Sequence, residues 1–173
     1  FIGFDMEEFK NDVSQWILEW VGVFNTGMNQ VPCPFAKKAL LDDQIDWKLF
    51  QTRQSLWNYM MYNLTLDKEV MIIGFDPKKI SSEEASEIAE TFNRNFMVKG
   101  LVALEDHPDR PEFVAGVNMN QGKWGWIAVQ RLDKLNRASM QLAKIGYYEK
   151  WSDEEYADVV AWRFEDQKSK FKI

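Results

Sequence analysis

The chain has 173 residues, 46% apolar and 28% charged, with eight Trp but only one Cys and one His. That length fits one domain of about 100–200 residues. A single Cys excludes an internal disulfide, and one Cys with one His excludes a zinc finger, a four-Cys cluster and a two-His metal centre.

The 27 acidic residues outnumber the 21 basic ones, for a formal charge of −6 and a pI near 4.9. Such a chain repels a polyphosphate backbone, so no nucleic-acid partner is expected. The only local basic cluster, Lys168-Ser169-Lys170-Phe171-Lys172, reads as a solvated end. No apolar run approaches the roughly 20 residues that span a bilayer, so no membrane partner is expected. A lone thiol suits a reducing, cytoplasmic compartment. No charged leader with an apolar core and a small-residue cleavage site is visible; the chain begins at Phe1 rather than Met.

The first predicted element is a helix over Asp5–Val21. Met6, Phe9, Val13, Trp16, Ile17 and Trp20 recur at three- and four-residue intervals, and Gly22 closes it. After a loop, Pro34 suits a first helical position, which places Cys33 at or beside the N-cap of a short helix. Ile45–Phe50 alternates like a half-buried strand, and a helix over Arg53–Leu64 turns Leu56, Trp57, Met60 and Met61 inward. Glu69–Phe75 is the clearest strand, ended by Asp76-Pro77. Ser81 with Glu84 forms a capping box opening a helix with Ala85, Ile88, Ala89, Phe92 and Phe96 on its apolar stripe. Gly100 closes it.

Leu101–Leu104 is a short strand leading into the polar loop Glu105–Pro111, and Phe113–Val117 and Trp124–Gln130 read as two further strands. Asp133 caps a helix with Leu135, Ala138, Leu142 and Ile145 inward. A second capping box, Ser152 with Glu155, opens the last helix, with Tyr156, Val159, Val160 and Phe164 facing the core. The pattern predicts a single α/β (α+β) domain: an N-terminal helix over 1–22, a sheet-forming core over 45–130 and C-terminal helices over 133–166. Its mixed sheet has four or five strands with helices packed on it, and a ferredoxin-like variant is one arrangement.

Three places could carry chemistry. Cys33 at a helix N-terminus, with Lys37 and Lys38 a turn further on, is placed to favour thiolate; the bland alternative is a small buried hydrophobe. The loop after Leu104 gathers Glu105, Asp106, His107, Asp109 and Arg110. His107 is its natural acid or base, against the alternative of a solvated turn stiffened by Pro108 and Pro111. The segment Val117–Trp126, with Asn118, Asn120, Lys123, two glycines and two Trp, could recognise a polar small molecule or simply be a hairpin. Arg131, Asn136 and Arg137, which follow the next strand, would add anion-binding groups at the same end of the sheet, with Arg131 the best placed of the three. If Cys33 and His107 meet, they form a nucleophile–base pair oriented by Asp106 or Asp109. Paired acids such as Glu83/Glu84 and Glu154/Glu155 complement helix dipoles, and neither a metal nor a cofactor is expected.

Trp16-Ile17, then Val31-Pro32-Cys33-Pro34-Phe35-Ala36, then His107-Pro108-Asp109 resembles an uncharacterised bacterial domain family with a Trp-containing helix, a CPFA motif and a downstream HP motif. The style is also that of small tailed-phage proteins. Downstream, Asn118–Trp126 stands where the family has an Asn-Arg and Pro-rich segment. The resemblance implies that Cys33 and His107 are the positions to test first.

Two functions remain open from sequence. One is a small-molecule enzyme or ligand-binding protein, with Cys33, His107 and Asp109 catalytic and Arg110, Asn118, Asn120, Lys123 and Arg131 binding. The other is a non-catalytic interaction or assembly subunit, homo-oligomeric or bound to another protein, anchored by Trp124, Trp126, Tyr147, Tyr148 and Trp151.

Overall fold

The computed structural model describes residues 5–164. The basic cluster at Lys168–Lys172, the ends of the predicted helical regions at residues 1–4 and 165–166, and Phe1 itself lie outside the described residues.

The fold is α+β. Four strands, β1 (Ile45–Phe50), β2 (Val70–Phe75), β3 (Leu101–Asp106) and β6 (Gly125–Arg131), form one mixed sheet in the order β1-β2-β6-β3. Two short strands, β4 (Phe113–Val114) and β5 (Val117–Asn118), pair only with each other. β1 and β2 run parallel, and β6 runs antiparallel to both β2 and β3. The parallel pair needs a crossover, supplied by α3 (Arg53–Asn58). The stretch from β2 through α4 (Ser82–Phe96) to β3 and β6 matches the first half of a ferredoxin-like sheet. The fourth strand, β1, precedes that unit in the chain and joins it parallel, so the topology departs from the ferredoxin-like one.

Both sheet faces are covered, which is why β2 reads as a nearly continuous apolar run. On one face α3 and α4 bury Met71, Ile73, Phe75, Ala103, Ile127 and Val129 beneath Leu56, Met60, Ile88 and Phe92. On the other, α1 (Met6–Trp16) and α2 (Ala36–Leu41) cover Ile45, Ile72, Trp47 and Trp124 with Phe9, Val13, Ile17 and Leu40. A smaller cluster joins Val102 and Leu104 of β3 to Leu132, Leu135 and Trp162. These last residues belong to α5 (Leu132–Lys144) and the C-terminal helix, which α6 (Asp153–Tyr156) begins. Phe9 sits directly on the sheet because Gly74 leaves room: a Cβ there would lie 2.5 Å from its ring.

The helices end in an unusual way. After α1, α3 and α6 the chain continues for one widened turn of π type, at Ile17–Val21, Tyr59–Asn63 and Ala157–Ala161. Gly22 closes the first through its N–H on the Ile17 carbonyl, five residues back. Both capping boxes form, Ser81 with Glu84 and Ser152 with Glu155.

Three local expectations are corrected. The strand expected over Phe113–Val117 is a tight hairpin turning at Ala115 and Gly116, whose positive φ values of 51° and 78° break the extended chain. β3 runs two residues further than apolarity suggested, because Glu105 and Asp106 still pair with Ile127 and Trp126 of β6. α5 buries Leu132, Asn136 and Ser139, while Ile145, expected inward, is 78% exposed.

Candidate functional site

The carboxyl end of β3 delivers Asp106 and His107 into the turn that follows. The His107 ring is 2% exposed and both of its nitrogens are occupied. Nδ1 accepts from the Asp109 backbone N–H at 3.0 Å, so Nε2 carries the proton and donates to the Ile80 carbonyl at 2.8 Å. The imidazole thus ties the loop to the segment entering α4 and packs 6.0 Å from the Phe75 ring. Neither nitrogen faces a space a substrate could fill. The Asp109 side chain points outward, with 78% of its area exposed, and its nearest oxygen is 4.0 Å from Nδ1.

The loop is held equally firmly from its other sides. Asn120 donates through one amide nitrogen to Asp106 Oδ1 at 3.0 Å and the His107 carbonyl at 3.1 Å, and lies 3.4 Å from the Arg110 carbonyl. Its amide oxygen accepts from the Glu112 N–H at 2.7 Å. Asn118 steadies that clasp by accepting from the Asn120 N–H at 2.9 Å. The Arg110 guanidinium bonds Ser86 Oγ of α4, which donates to Glu105 Oε1 at 2.9 Å. The sequence-predicted residues His107, Asp109, Arg110, Asn118 and Asn120 therefore come together, but as a network satisfied by its own members.

Cys33 belongs to a different neighbourhood. It packs with α1 and α2, and its N–H donates to the Val21 carbonyl at 3.0 Å. α2 begins at Ala36 with Phe35 as its cap, so the thiol stands before the helix rather than at its N-cap. Burial pushes its pKa above the ordinary thiol value, outweighing the opposite pull of the Phe35 and Ala36 N–H groups. This is the reverse of an activated nucleophile. Nearby, Tyr147 sends its hydroxyl to the Val31 and Pro32 carbonyls at 2.6 and 2.7 Å.

The remaining candidates are distributed further. Lys123 reaches α1, pairing with Glu8 at 2.9 Å and Asp12 at 2.7 Å. Asp12 also accepts from the indole of Trp124 at 2.8 Å. Arg131 stands opposite Leu101, at the start of β3, whereas Asp106 stands opposite Trp126. Five strand residues at about 3.4 Å each put roughly 17 Å between those ends, so Arg131 does not join the His107 end of the sheet. Its guanidinium donates to the Leu66 carbonyl at 3.2 Å.

The most perturbed acid near the loop is Asp106. Desolvation, with the charges of Glu112 and Glu105, lifts its carboxyl from 3.8 to about 7, against the hydrogen bonds from Asn120 and the Gln121 backbone. Glu112 is open to solvent on one side yet is also raised, by its enclosed side and by Glu105 and Asp158. Among the described residues no group of three His, Cys, Asp or Glu side chains is placed to hold a metal ion, and no helix is long and apolar enough to cross a membrane.

Two shallow cavities flank the widened turn after α3. One of about 340 Å³ opens between edge strand β1 and that turn, lined by Asp46, Lys48, Tyr59, Asn63 and Asp67 among others. The second, about 290 Å³, lies between Trp57, Tyr62, Asn95 and Phe96 on the side towards α4. Neither contains a candidate residue of the sequence reading. Exposed apolar side chains lie elsewhere. Leu18, Val23, Phe24 and Phe35 are all more than a third exposed, Phe24 by 57%. The Cys33–Val21 hydrogen bond and the contact of Lys37 with Gly22 hold their two segments side by side.

No family model, curated protein or solved structure matches this chain.

Ser86, Ser139 and Arg163 carry no functional signal in the sequence, and Asn136 reads there only as an anion-binding group alongside Arg131; all four are buried polar residues. Asn136 and Ser139 recur at helical spacing on α5, but a polar pair on an amphipathic helix reads as its wet face. Only the partner Arg163, 24 and 27 residues further on, turns that face inward.

Proposed function

We propose that the chain is a non-catalytic assembly subunit that self-associates through the apolar surface of Leu18, Val23, Phe24 and Phe35. The observation that carries this reading is the exposure of four large apolar side chains on two segments held together by a backbone hydrogen bond. Contiguous exposed apolar surface marks interaction sites, and aromatic residues are the usual anchors. Glu19, next to Leu18 in the chain, and Lys37, two residues past Phe35, are both exposed. A two-fold pairing of copies that sets Glu19 of one against Lys37 of the other would bring opposite charges together despite the acidic whole.

The aromatic set around 124–151 is a weaker anchor. Trp124 is 2% exposed, and Tyr147, Tyr148 and Trp151 pack on one another with centroids 4.9–6.0 Å apart. The raised Cys33 thiol and the doubly bonded His107 ring likewise favour the subunit over a Cys33/His107 enzyme. The cavity beside β1 supports a second reading, a binding site for a small polar molecule, because widened helical turns recur at functional sites.

Sedimentation velocity over a concentration series tests the proposal. Wild type should move towards a dimer as concentration rises, and the Phe24→Ser/Phe35→Ser double variant should stay monomeric. Equal behaviour of the two proteins, or a wild type that is monomeric throughout, would refute it.

A further inference from the structure

Arg163 lies between the C-terminal helix and α5, 3% exposed, without a carboxylate partner among the described residues. Its Nη1 donates to Asn136 Oδ1 at 3.3 Å and its Nη2 to Ser139 Oγ at 3.0 Å. Both partners are neutral. The Tyr148 and Tyr156 phenols also lie near the guanidinium. Among the described residues, then, no carboxylate balances the enclosed positive charge, and buried ions are normally paired.

Two donors in the same cluster are also unused. Arg163 Nε and Asn136 Nδ2 are both buried and neither has a hydrogen-bond partner. Asn136 is itself 3% exposed. An unmade buried hydrogen bond costs free energy, and here two lie on side chains in contact. Both are donors, beside a fixed cation, so the missing group is an acceptor that carries negative charge.

We propose that Arg163 and Asn136 form a binding site for a compact monovalent anion, a halide or a small carboxylate. It would accept from Arg163 Nε and Asn136 Nδ2 and neutralise the guanidinium. A carboxylate presents two oxygens to two donors, while a halide accepts both on one centre. Binding would draw α5 and the C-terminal helix together, since each contributes one donor.

Thermal unfolding at constant ionic strength, exchanging gluconate for chloride in one series and for formate in another, tests the site. Gluconate, a much larger carboxylate than formate, serves as the reference. Wild type should gain several degrees along a saturating curve with at least one of the two anions, because a ligand that binds the native state stabilises it. The series that responds separates the halide from the carboxylate. Asn136→Asp places a carboxylate beside Arg163 within the chain, so this variant should melt higher in gluconate and lose the response. Arg163→Met should also lose it, and if that variant fails to fold, Asn136→Asp still decides. A flat wild-type curve with both anions, or an undiminished response in Asn136→Asp, would overturn the proposal.

Discussion

The substitution Asp106→Asn should make the protein more stable at pH 8 and less stable, by about 1–2 kcal/mol, at pH 4. The carboxyl is held at about 7 in the fold against 3.8 for an unperturbed group, so the folded state binds its proton more tightly than the unfolded state does. Below pH 4 the group is protonated in both states and contributes nothing. Between pH 4 and pH 7 the unfolded chain ionises first and stability falls; above pH 7 the full penalty is present. At about 1.4 kcal/mol for each tenfold difference in proton affinity, that penalty is on the order of 4 kcal/mol.

The Asp106→Asn variant escapes the penalty and keeps one oxygen for the Asn120 amide at the position of Oδ1. It gives up the acceptor that Asp106 offers the Gln121 N–H, at a cost of about 1–2 kcal/mol. The net gain above pH 7 is then about 2–3 kcal/mol. Urea unfolding followed by Trp fluorescence, for both proteins across pH 4–8, measures the difference directly, and other titrating groups cancel in the comparison. A difference independent of pH, or a variant less stable than wild type at pH 8, would show that the β3 carboxyl is not strained by its burial.

Other consequences follow from named contacts. Alkylation of Cys33 should be slow at neutral pH and have its midpoint above that of a free thiol, since burial raises the thiol; a midpoint below that value would restore an activated cysteine. His107→Ala should cost about 2–4 kcal/mol in chemical denaturation by leaving the Ile80 carbonyl and the Asp109 N–H without partners and opening a cavity. A loss within experimental error would mean that the ring does not lock the loop. Gly74→Ala should cost about 1–3 kcal/mol, because its Cβ would meet the Phe9 ring at 2.5 Å in a core with little room to shift. An unchanged melting temperature would contradict that packing.

Local signals carried much of the fold. β1 appears at Ile45–Phe50 as its alternation predicts, and both capping boxes form where Ser and Glu stand three apart. These features depend on neighbours in the chain, which is why they are legible there. The hairpin at Ala115–Gly116 and the extra length of β3 depend on long-range partners: Glu105 and Asp106 remain in a strand because β6 and Ser86 receive them. The site divides in the same way. That His107, Arg110, Asn118 and Asn120 share one end of the sheet follows from their loops, but whether they are free or consumed follows from Ile80 and Ser86, distant in sequence. Strand direction, rather than its neighbours in the chain, decides which end of the sheet Arg131 occupies. Polar residues buried by a distant helix, such as Asn136 beneath Arg163, leave no periodic trace of their burial.

Backbone hydrogen exchange at low and at high protein concentration addresses the assembly reading most directly, since it locates a contact as well as detecting one. Association through the proposed surface should slow exchange at high concentration for residues 18–24 and 33–36, with the β4–β5 hairpin and the end of α5 unchanged. Protection gained around 147–151 instead, or no concentration dependence at residues 18–24, would contradict it.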